Sequence, residues 1–382
     1  MPDSSLAQPL IVLPIVGTRP EAVKMAPLIN LMKAQPQNFK VIVTVTGQHR
    51  EMLDQVMHGA FGVGYDHDLA IMTAGQSLTQ ITTRALDGLE PVLKREKPDI
   101  VLAQGDTTTV LAASLAASYQ KIAFGHVEAG LRTENKFDPF PEELNRRLTT
   151  QITDLHFAPT PQSAANLKRE GVPDDAIYLT GNTVIDALLQ VSKSRNLSDD
   201  GLKTILVTTH RRENLGAPLE NIALALRDIL DGFENTKIVL PMHKNPAVRE
   251  TLQRILGAHP RAELIEPLDY LPFVRAMESA HLILTDSGGV QEEAPSLGIP
   301  VLVLRRTTER PEGVTAGTAR LIGTEREDIV RAASQLLSDE NAYQSMSHAA
   351  NPYGDGKAGE RIAQAILHWA GRAERPANFV SG

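Results

Sequence analysis

Short runs of β-branched and aliphatic residues alternate with longer stretches of helical periodicity along nearly the whole chain. The apolar runs fall at 10–16, 40–45, 100–104, 122–127, 155–158 and 177–179, and a second series at 204–208, 237–241, 262–265, 282–285 and 301–304. Helical patterns lie between them, at 78–95, 108–119, 142–152, 219–232 and 328–337, with a last one at 359–372. The runs are continuously apolar, as strands are when helices cover both faces of a sheet. Strand–helix alternation of this kind predicts an α/β protein with parallel sheets, here two doubly wound Rossmann-like domains. The expected division is 1–175 and 176–358, with the helix from about 359 packing back on the first domain. Both the polar stretch 192–201, which has no apolar periodicity, and the turn-rich segment 171–175 qualify as the boundary. Ligands of such folds bind beyond the carboxyl ends of the strands, here expected in the cleft between the domains.

The 382 residues suffice for two domains of ordinary size, and 42% hydrophobic with 22% charged residues describes a globular chain. A net charge of −8 argues against a nucleic-acid surface, which needs a basic patch. The chain has no cysteine, which excludes disulfides, thiolate zinc sites and a cysteine nucleophile. The first eight residues are polar without a basic segment, and the run at 10–16 is too short to span a bilayer, so neither export nor membrane attachment is expected.

The run at 282–285 stops at Asp286-Ser287-Gly288-Gly289 and opens into Val290-Gln291-Glu292-Glu293. Two glycines between a strand and a helix let backbone N–H groups approach an anion, and a helix N-terminus adds partial positive charge. The carboxylates that follow suit a hydroxylated ligand, so the stretch fits a nucleotide-sugar. The first strand ends in Gly17-Thr18-Arg19-Pro20, a clean start for a helix that carries Lys24. Arg19 and Lys24 flank the place of an anion, or are solvated charges at a helix start. Asp106, after Gly105, either caps the next helix or faces a ligand. His126, Glu128 and Arg132 cluster at a strand exit, as functional groups or as a structural ion pair. Glu142 and Glu143 suit a first helical turn in any case. Asp106, Glu128 and Glu142 nevertheless converge on one edge, where carboxylates can carry acid–base chemistry. In the second half, His210 with Arg211 and His243 with Lys244 follow successive strands. The turn after the first strand is neither a GxGxxG nor a Walker loop, and His126-x-Glu128 lacks a second closely spaced ligand pair, so neither metal nor NAD is expected.

These segments, with Thr46-Gly47-Gln48-His49-Arg50, Gly181-Asn182-Thr183 and the 308–313 loop, resemble the non-hydrolysing UDP-N-acetylglucosamine 2-epimerases over almost the whole chain. The resemblance implies a glycosyltransferase-B-like fold and a cytoplasmic homodimeric isomerase. Such an enzyme interconverts UDP-GlcNAc and UDP-ManNAc without metal or NAD and serves surface polysaccharide synthesis. Elimination of UDP to a 2-acetamidoglucal, then re-addition, is the implied mechanism. Carried over by motif, Asp106, Glu128, Glu142 and His210 are the implied catalytic set. Arg19, Lys24, His210, Ser287, Gly288, Gly289 and Arg310 are implied at UDP, Glu293 at the ribose, and Leu268 and Phe273 beside the uracil. Gln48, His49 and Glu51 match a segment that carries allosteric UDP-GlcNAc in some members. Gly75 stands where the regulated members compared carry an arginine, so the resemblance does not carry that regulation over.

Overall fold

Every apolar run but 40–45 becomes a single strand, and the strands assemble into two separate parallel sheets. The computed structural model describes residues 8–47, 53–73, 75–133, 135–137, 139–193 and 201–381. The first sheet holds β1 (Leu10–Val16), β2 (Phe39–Val41), β3 (Thr44–Val45), β4 (His67–Asp68), β5 (Ile100–Gln104), β6 (Ala123–Val127), β7 (Leu155–Ala158) and β8 (Ile177–Leu179). Its order is β4-β3-β1-β5-β6-β7-β8, with β2 also on β1. Its described helices are α1 (Arg19–Lys33), α2 (Leu78–Glu96), α3 (Thr108–Tyr119), α4 (Glu142–Thr150), α5 (Pro161–Arg169) and α6 (Thr183–Val191).

The second sheet holds β9 (Lys203–Thr208), β10 (Thr236–Pro241), β11 (Ala262–Ile265), β12 (Leu282–Thr285), β13 (Val301–Val303) and β14 (Ala319–Leu321), in the order β11-β10-β9-β12-β13-β14. Helices α7 (Ala217–Gly232), α8 (Pro246–Leu256), α9 (Tyr270–Glu278), α10 (Gly288–Glu293), α11 (Pro311–Thr315), α12 (Arg326–Ser338) and α13 (Glu340–Ser347) accompany it, and α14 (Ala358–Trp369) follows. Its core packs Ile205, Val207, Leu226, Ile238, Leu252 and Leu284 between sheet and helices. The corresponding core of the first sheet holds Leu13, Ile15, Leu89, Val101, Ala113 and Phe124. No helix among the described residues is long and apolar enough to cross a membrane.

The expected strand 40–45 is two strands, and Pro14 accounts for the gap. Ile42 N donates to Val12 O at 2.9 Å and Thr46 N to Val16 O at 3.0 Å, so even-numbered residues of β1 face this neighbour. Pro14 has no N–H to offer there, and the ladder lapses while the register stays the same on either side. Strand β4 is two polar residues, His67 and Asp68, and β14 sets Arg320 between Ala319 and Leu321, so neither reads as an apolar run.

The first unit comprises residues 1–190 with 354–380, and the second 191–353. The chain leaves the first unit there and not after residue 175. Strand β8 pairs with β7 from His156↔Ile177 to Ala158↔Leu179, which places the 171–175 turn inside the unit. Helix α14 belongs to the first unit, where a Cβ on Gly359 would come within 3.7 Å of Leu28 Cα on α1.

In both sheets the strand order reverses beside the first strand of the unit, between β1 and β5 and between β9 and β12. At such a switch point neighbouring loops run to opposite faces and leave a crevice beyond the strand ends. The β1–α1 turn and Gly105-Asp106 flank one crevice; the loop after β9 and Asp286–Gly289 flank the other.

Helix α1 begins with a buried carboxylate. Glu21 Oε2 accepts from Gly17 N at 2.6 Å and Thr18 N at 3.3 Å. Burial pushes Glu21 up to about 7, against the hydrogen bonds from Thr107, Gly17 and Thr18. A carboxyl that keeps its proton in the native state above its unfolded value contributes stability below that value, and the contribution is lost as pH rises through about 7. Glu21→Gln removes this dependence. Between about pH 5 and pH 8 the parent is expected to lose about 2 kcal/mol more than the variant, read from urea midpoints. Equal losses would contradict it.

Candidate functional site

In the first unit, glycine is required where β1 turns into α1: a Cβ on Gly17 would lie 2.4 Å from Thr109 Oγ1. The turn leads to Arg19, half-buried at the helix start, and one turn later to Lys24. Lys24 Nζ lies 2.6 Å from Glu128 Oε1. Glu128 is buried at the exit of β6 with φ +66°, a left-handed conformation that costs roughly 1–3 kcal/mol unless its surroundings fix it. Those surroundings are polar and specific. Gln104 Nε2, at the end of β5, donates to Oε2, and Asn182 Nδ2, just before α6, donates to Oε1 at 2.8 Å. One carboxylate thereby ties together α1, β5, β6 and the entry to α6.

Asp106 does not cap α3. Thr107 is the N-cap, and its hydroxyl accepts from Val110 N at 3.4 Å. Asp106 Oδ2 instead accepts from Arg146 Nε at 2.9 Å and Nη2 at 2.7 Å, while its backbone carbonyl accepts from Asn145 Nδ2 at 2.8 Å. Helix α4 is thus fastened to the β5 turn. Arg146 Nη1 also reaches Glu143 Oε2 at 2.9 Å, and Arg147 Nε reaches Glu143 Oε1 at 2.8 Å. Burial opposes the charge on Arg146, but Asp106 and Glu143 hold its pKa above the ordinary value. Glu143, fully buried, is spent on these contacts and on Thr133 N at 3.0 Å. Glu142, half-buried at the start of α4, engages no described side chain, and Asp106 Oδ1 accepts no hydrogen bond from the described residues. Both leave carboxylate oxygens open beside the β5 turn.

His126 is a core residue. Its Nε2 lies 2.6 Å from the carbonyl of Gly105, and burial pushes its pKa down to about 4, so it is neutral and donates there. It faces His156 across β6 and β7, where burial lowers the imidazole to about 3. Arg132 clamps Glu170 with Nε and Nη2, both at 2.7 Å, and is structural.

In the second unit the organising group is Asp286, fully buried. It accepts from His210 N and Arg211 N, each at 2.9 Å, from Asn214 Nδ2 at 2.9 Å and from Thr209 Oγ1 at 3.2 Å. His210 Nδ1 lies 3.0 Å from Asp286 Oδ1, with the ring 46% exposed. Burial alone would raise the Asp286 pKa; the His210 side chain and the loop N–H groups hold it below the ordinary value.

Ser287, Gly288 and Gly289 follow, half-buried, and a Cβ on Gly288 would meet nothing within 4 Å. Helix α10 is only six residues long before a 3-10 turn at Ala294–Leu297, so its dipole is weaker than the sequence pattern implied. Backbone access at the glycines is the stronger feature. Behind them Glu292 is buried against Arg310 Nε. Tyr353 hydroxyl accepts from Gly313 N at 2.8 Å and donates to Arg310 O at 3.1 Å, which fixes the Arg310 loop. Glu293 accepts from Tyr270 hydroxyl at 3.3 Å, and burial together with Glu293 raises the Tyr270 pKa. Tyr270 opens α9, which also carries Phe273, and half-buried Leu268 precedes it. Arg305 is neutralised by Glu213 Oε1 at 2.7 Å and Glu309 Oε2 at 2.8 Å. His243 and Lys244 are exposed, and His243 Nδ1 accepts from Asn245 N at 3.1 Å.

Gln48, His49 and Glu51 lie outside the described residues; Gly75 is described, at φ +72°. The sequence reading overlooked Gln104, Asn145, Arg146, Asn182, Asn214 and Asp286. Most stand in segments it quoted, and for Gln104 and Asp286 the available signal was a polar residue closing an apolar strand.

Removing one partner of a buried pair leaves the other charge uncompensated. Lys24→Met is therefore expected to destabilise the first unit by roughly 3 kcal/mol, and Lys24→Met with Glu128→Gln by less than the sum of the single changes. Denaturant titration of the four proteins measures the coupling, and strict additivity would contradict it.

Residues 31–367 match the family model described as UDP-N-acetylglucosamine 2-epimerase. The UDP-N-acetylglucosamine 2-epimerase of Escherichia coli (strain K12) is 56% identical over 369 residues, covering 93% of this chain and 98% of its own. The crystal structure of UDP-GlcNAc 2-epimerase from Neisseria meningitidis, bound to UDP-GlcNAc, matches with a TM-score of 0.85 at 48% identity, covering 94% of this chain and all (100%) of that one. The glycotransferase of kitacinnamycin, 13% identical with a TM-score of 0.66 over 94% of this chain and 99% of its own, shares the fold alone. The architecture is glycosyltransferase-B-like. The chain belongs to the UDP-N-acetylglucosamine 2-epimerase family.

Proposed function

We propose that this protein interconverts UDP-GlcNAc and UDP-ManNAc by inverting C2 through elimination and re-addition of UDP. The observation that carries the reading is the set of carboxylates at the β1/β5 switch point. Asp106 and Glu142 keep oxygens open, while Glu128 is held beside Gly105 by an ammonium and two amides. Family membership supplies the substrate class.

The C2 hydrogen is not adjacent to a carbonyl, so its removal needs help from the leaving group. As the C1–O bond weakens, positive character at C1 acidifies C2. One ionised carboxylate takes the C2 proton, the C–H electrons form the C1=C2 bond, and the C1–O pair leaves on the β-phosphate of UDP. A second carboxyl, protonated, then delivers a proton to the opposite face of C2 while the UDP oxygen returns to C1. The product is the epimer, and proton exchange with solvent restores both groups.

Asp106, Glu128 and Glu142 supply these proton transfers and the charge that accompanies them. On the UDP side, the Ser287–Gly289 backbone, Arg19, Lys24, His210 and Arg310 hold the diphosphate, where they stabilise charge that develops as C1–O breaks. Glu293 takes the ribose hydroxyls, and Leu268 with Phe273 borders the base. None of these steps calls for a metal or NAD. The reading also carries a cytoplasmic homodimer, and UDP-ManNAc made for surface polysaccharides.

Anion-exchange separation of products from UDP-GlcNAc tests the proposal. UDP-ManNAc is expected without free ManNAc; free ManNAc with UDP would make the enzyme hydrolysing and overturn it. Asp106→Asn and Glu142→Gln are each expected to lower kcat by roughly 10²–10⁴-fold, while UDP affinity changes by less than about threefold. Parental turnover in either variant would remove that residue from the mechanism.

A further inference from the structure

Asp286 follows β12 and has no part in the steps above, yet both of its carboxylate oxygens are engaged by the loop after β9. Its carboxylate collects two backbone N–H groups, an amide, a hydroxyl and one imidazole nitrogen from the 209–214 loop. The arrangement is asymmetric: the carboxylate is completely buried while the imidazole it touches is 46% exposed. We infer that Asp286 is the positioning residue for His210, fixing Nδ1–H inward and presenting Nε2 to the diphosphate. The inference rests on the epimerase reading, which puts that diphosphate at the β9/β12 switch point.

An ionised carboxylate can only accept, so Nδ1 must carry a proton and Nε2 is the nitrogen left for the ligand. When the ring takes a second proton, Asp286 offsets the charge, and Nε2–H donates to the phosphate oxygen that gains charge as C1–O breaks. The backbone bonds from His210 and Arg211 set the direction of the ring, because they hold its own Cα against the same carboxylate. An asparagine at 286 would keep one oxygen but turn an NH2 group toward backbone N–H groups that cannot accept, or toward an imidazole Nδ1 that accepts only in the other tautomer. Anchoring the loop alone would not need the contact with the ring.

The first test uses the parent protein. A low-field Nδ1–H proton resonance is expected in water and should vanish in His210→Asn; its absence from the parent would overturn the inference without any change at Asp286. In the second, Asp286→Asn is expected to lower kcat for UDP-GlcNAc by roughly 10–100-fold, with KM changed by less than about threefold. Placed on His210→Asn, the same substitution should cost less than about threefold, because the group it positions is gone. An equal loss in both backgrounds, or a loss carried wholly by KM, would overturn the inference while leaving the epimerase reading intact. A parent that does not epimerise UDP-GlcNAc at all would overturn both.

Discussion

A buried carboxylate at the carboxyl edge of a parallel sheet must be met by donors from the turns around it, because an uncompensated charge there costs several kcal/mol. Each unit of this protein has such a group at its switch point. Glu128 draws in Lys24, Gln104 and Asn182, and Asp286 draws in the backbone and side chains of the loop after β9. Parallel strands deliver those turns to one edge; the carboxylates decide how the turns lie once they arrive. The left-handed backbone of Glu128 is tolerable for the same reason, since three donors fix it from different elements.

This arrangement separates held charges from open ones. Arg132, Arg146 and Arg305 all stand near the turns, yet each is satisfied by its own carboxylate. Glu309 shows the strength of such pairing: burial would raise its pKa, and Arg305 with Arg211 brings it to about 2. Against that background Asp106 Oδ1 and Glu142 stand out, because a proton acceptor has to be free before it can act. Arg146 keeps Asp106 in place through one oxygen and leaves the other for chemistry. A division between fixed and available groups is what the proposed proton transfers call for.

Much of the fold was legible because both sheets are covered on two faces, so ten of the strands stood out as apolar runs close to their true bounds. What escaped had physical causes. Strands β4 and β14 carry polar residues in place of an apolar run, and the lapse opposite Pro14 depends on which way that residue faces, which periodicity does not encode. The boundary was expected after 175 and falls after 190, since pairing of β8 with β7 is a long-range fact. At the site, motif residues were found as types and places, but their partners were not. Lys24 read as an anion contact and lies on Glu128; Asp106 had capping as its plain reading and lies on Arg146 while Thr107 caps. Asp286 was visible only as the end of a strand. Its meaning depends on donors more than seventy residues away, such as Asn214 and His210.

Proton NMR of UDP-GlcNAc incubated with the protein in deuterated water tests the central claim most directly, because C2 must exchange its hydrogen with solvent in every inversion. UDP-ManNAc bearing deuterium at C2 is expected, with loss of the C2–H signal of the product and of the coupling it gives to C1–H. UDP-ManNAc that retains protium at C2 would contradict the elimination. Transfer of the sugar with no change at C2 would contradict epimerisation itself.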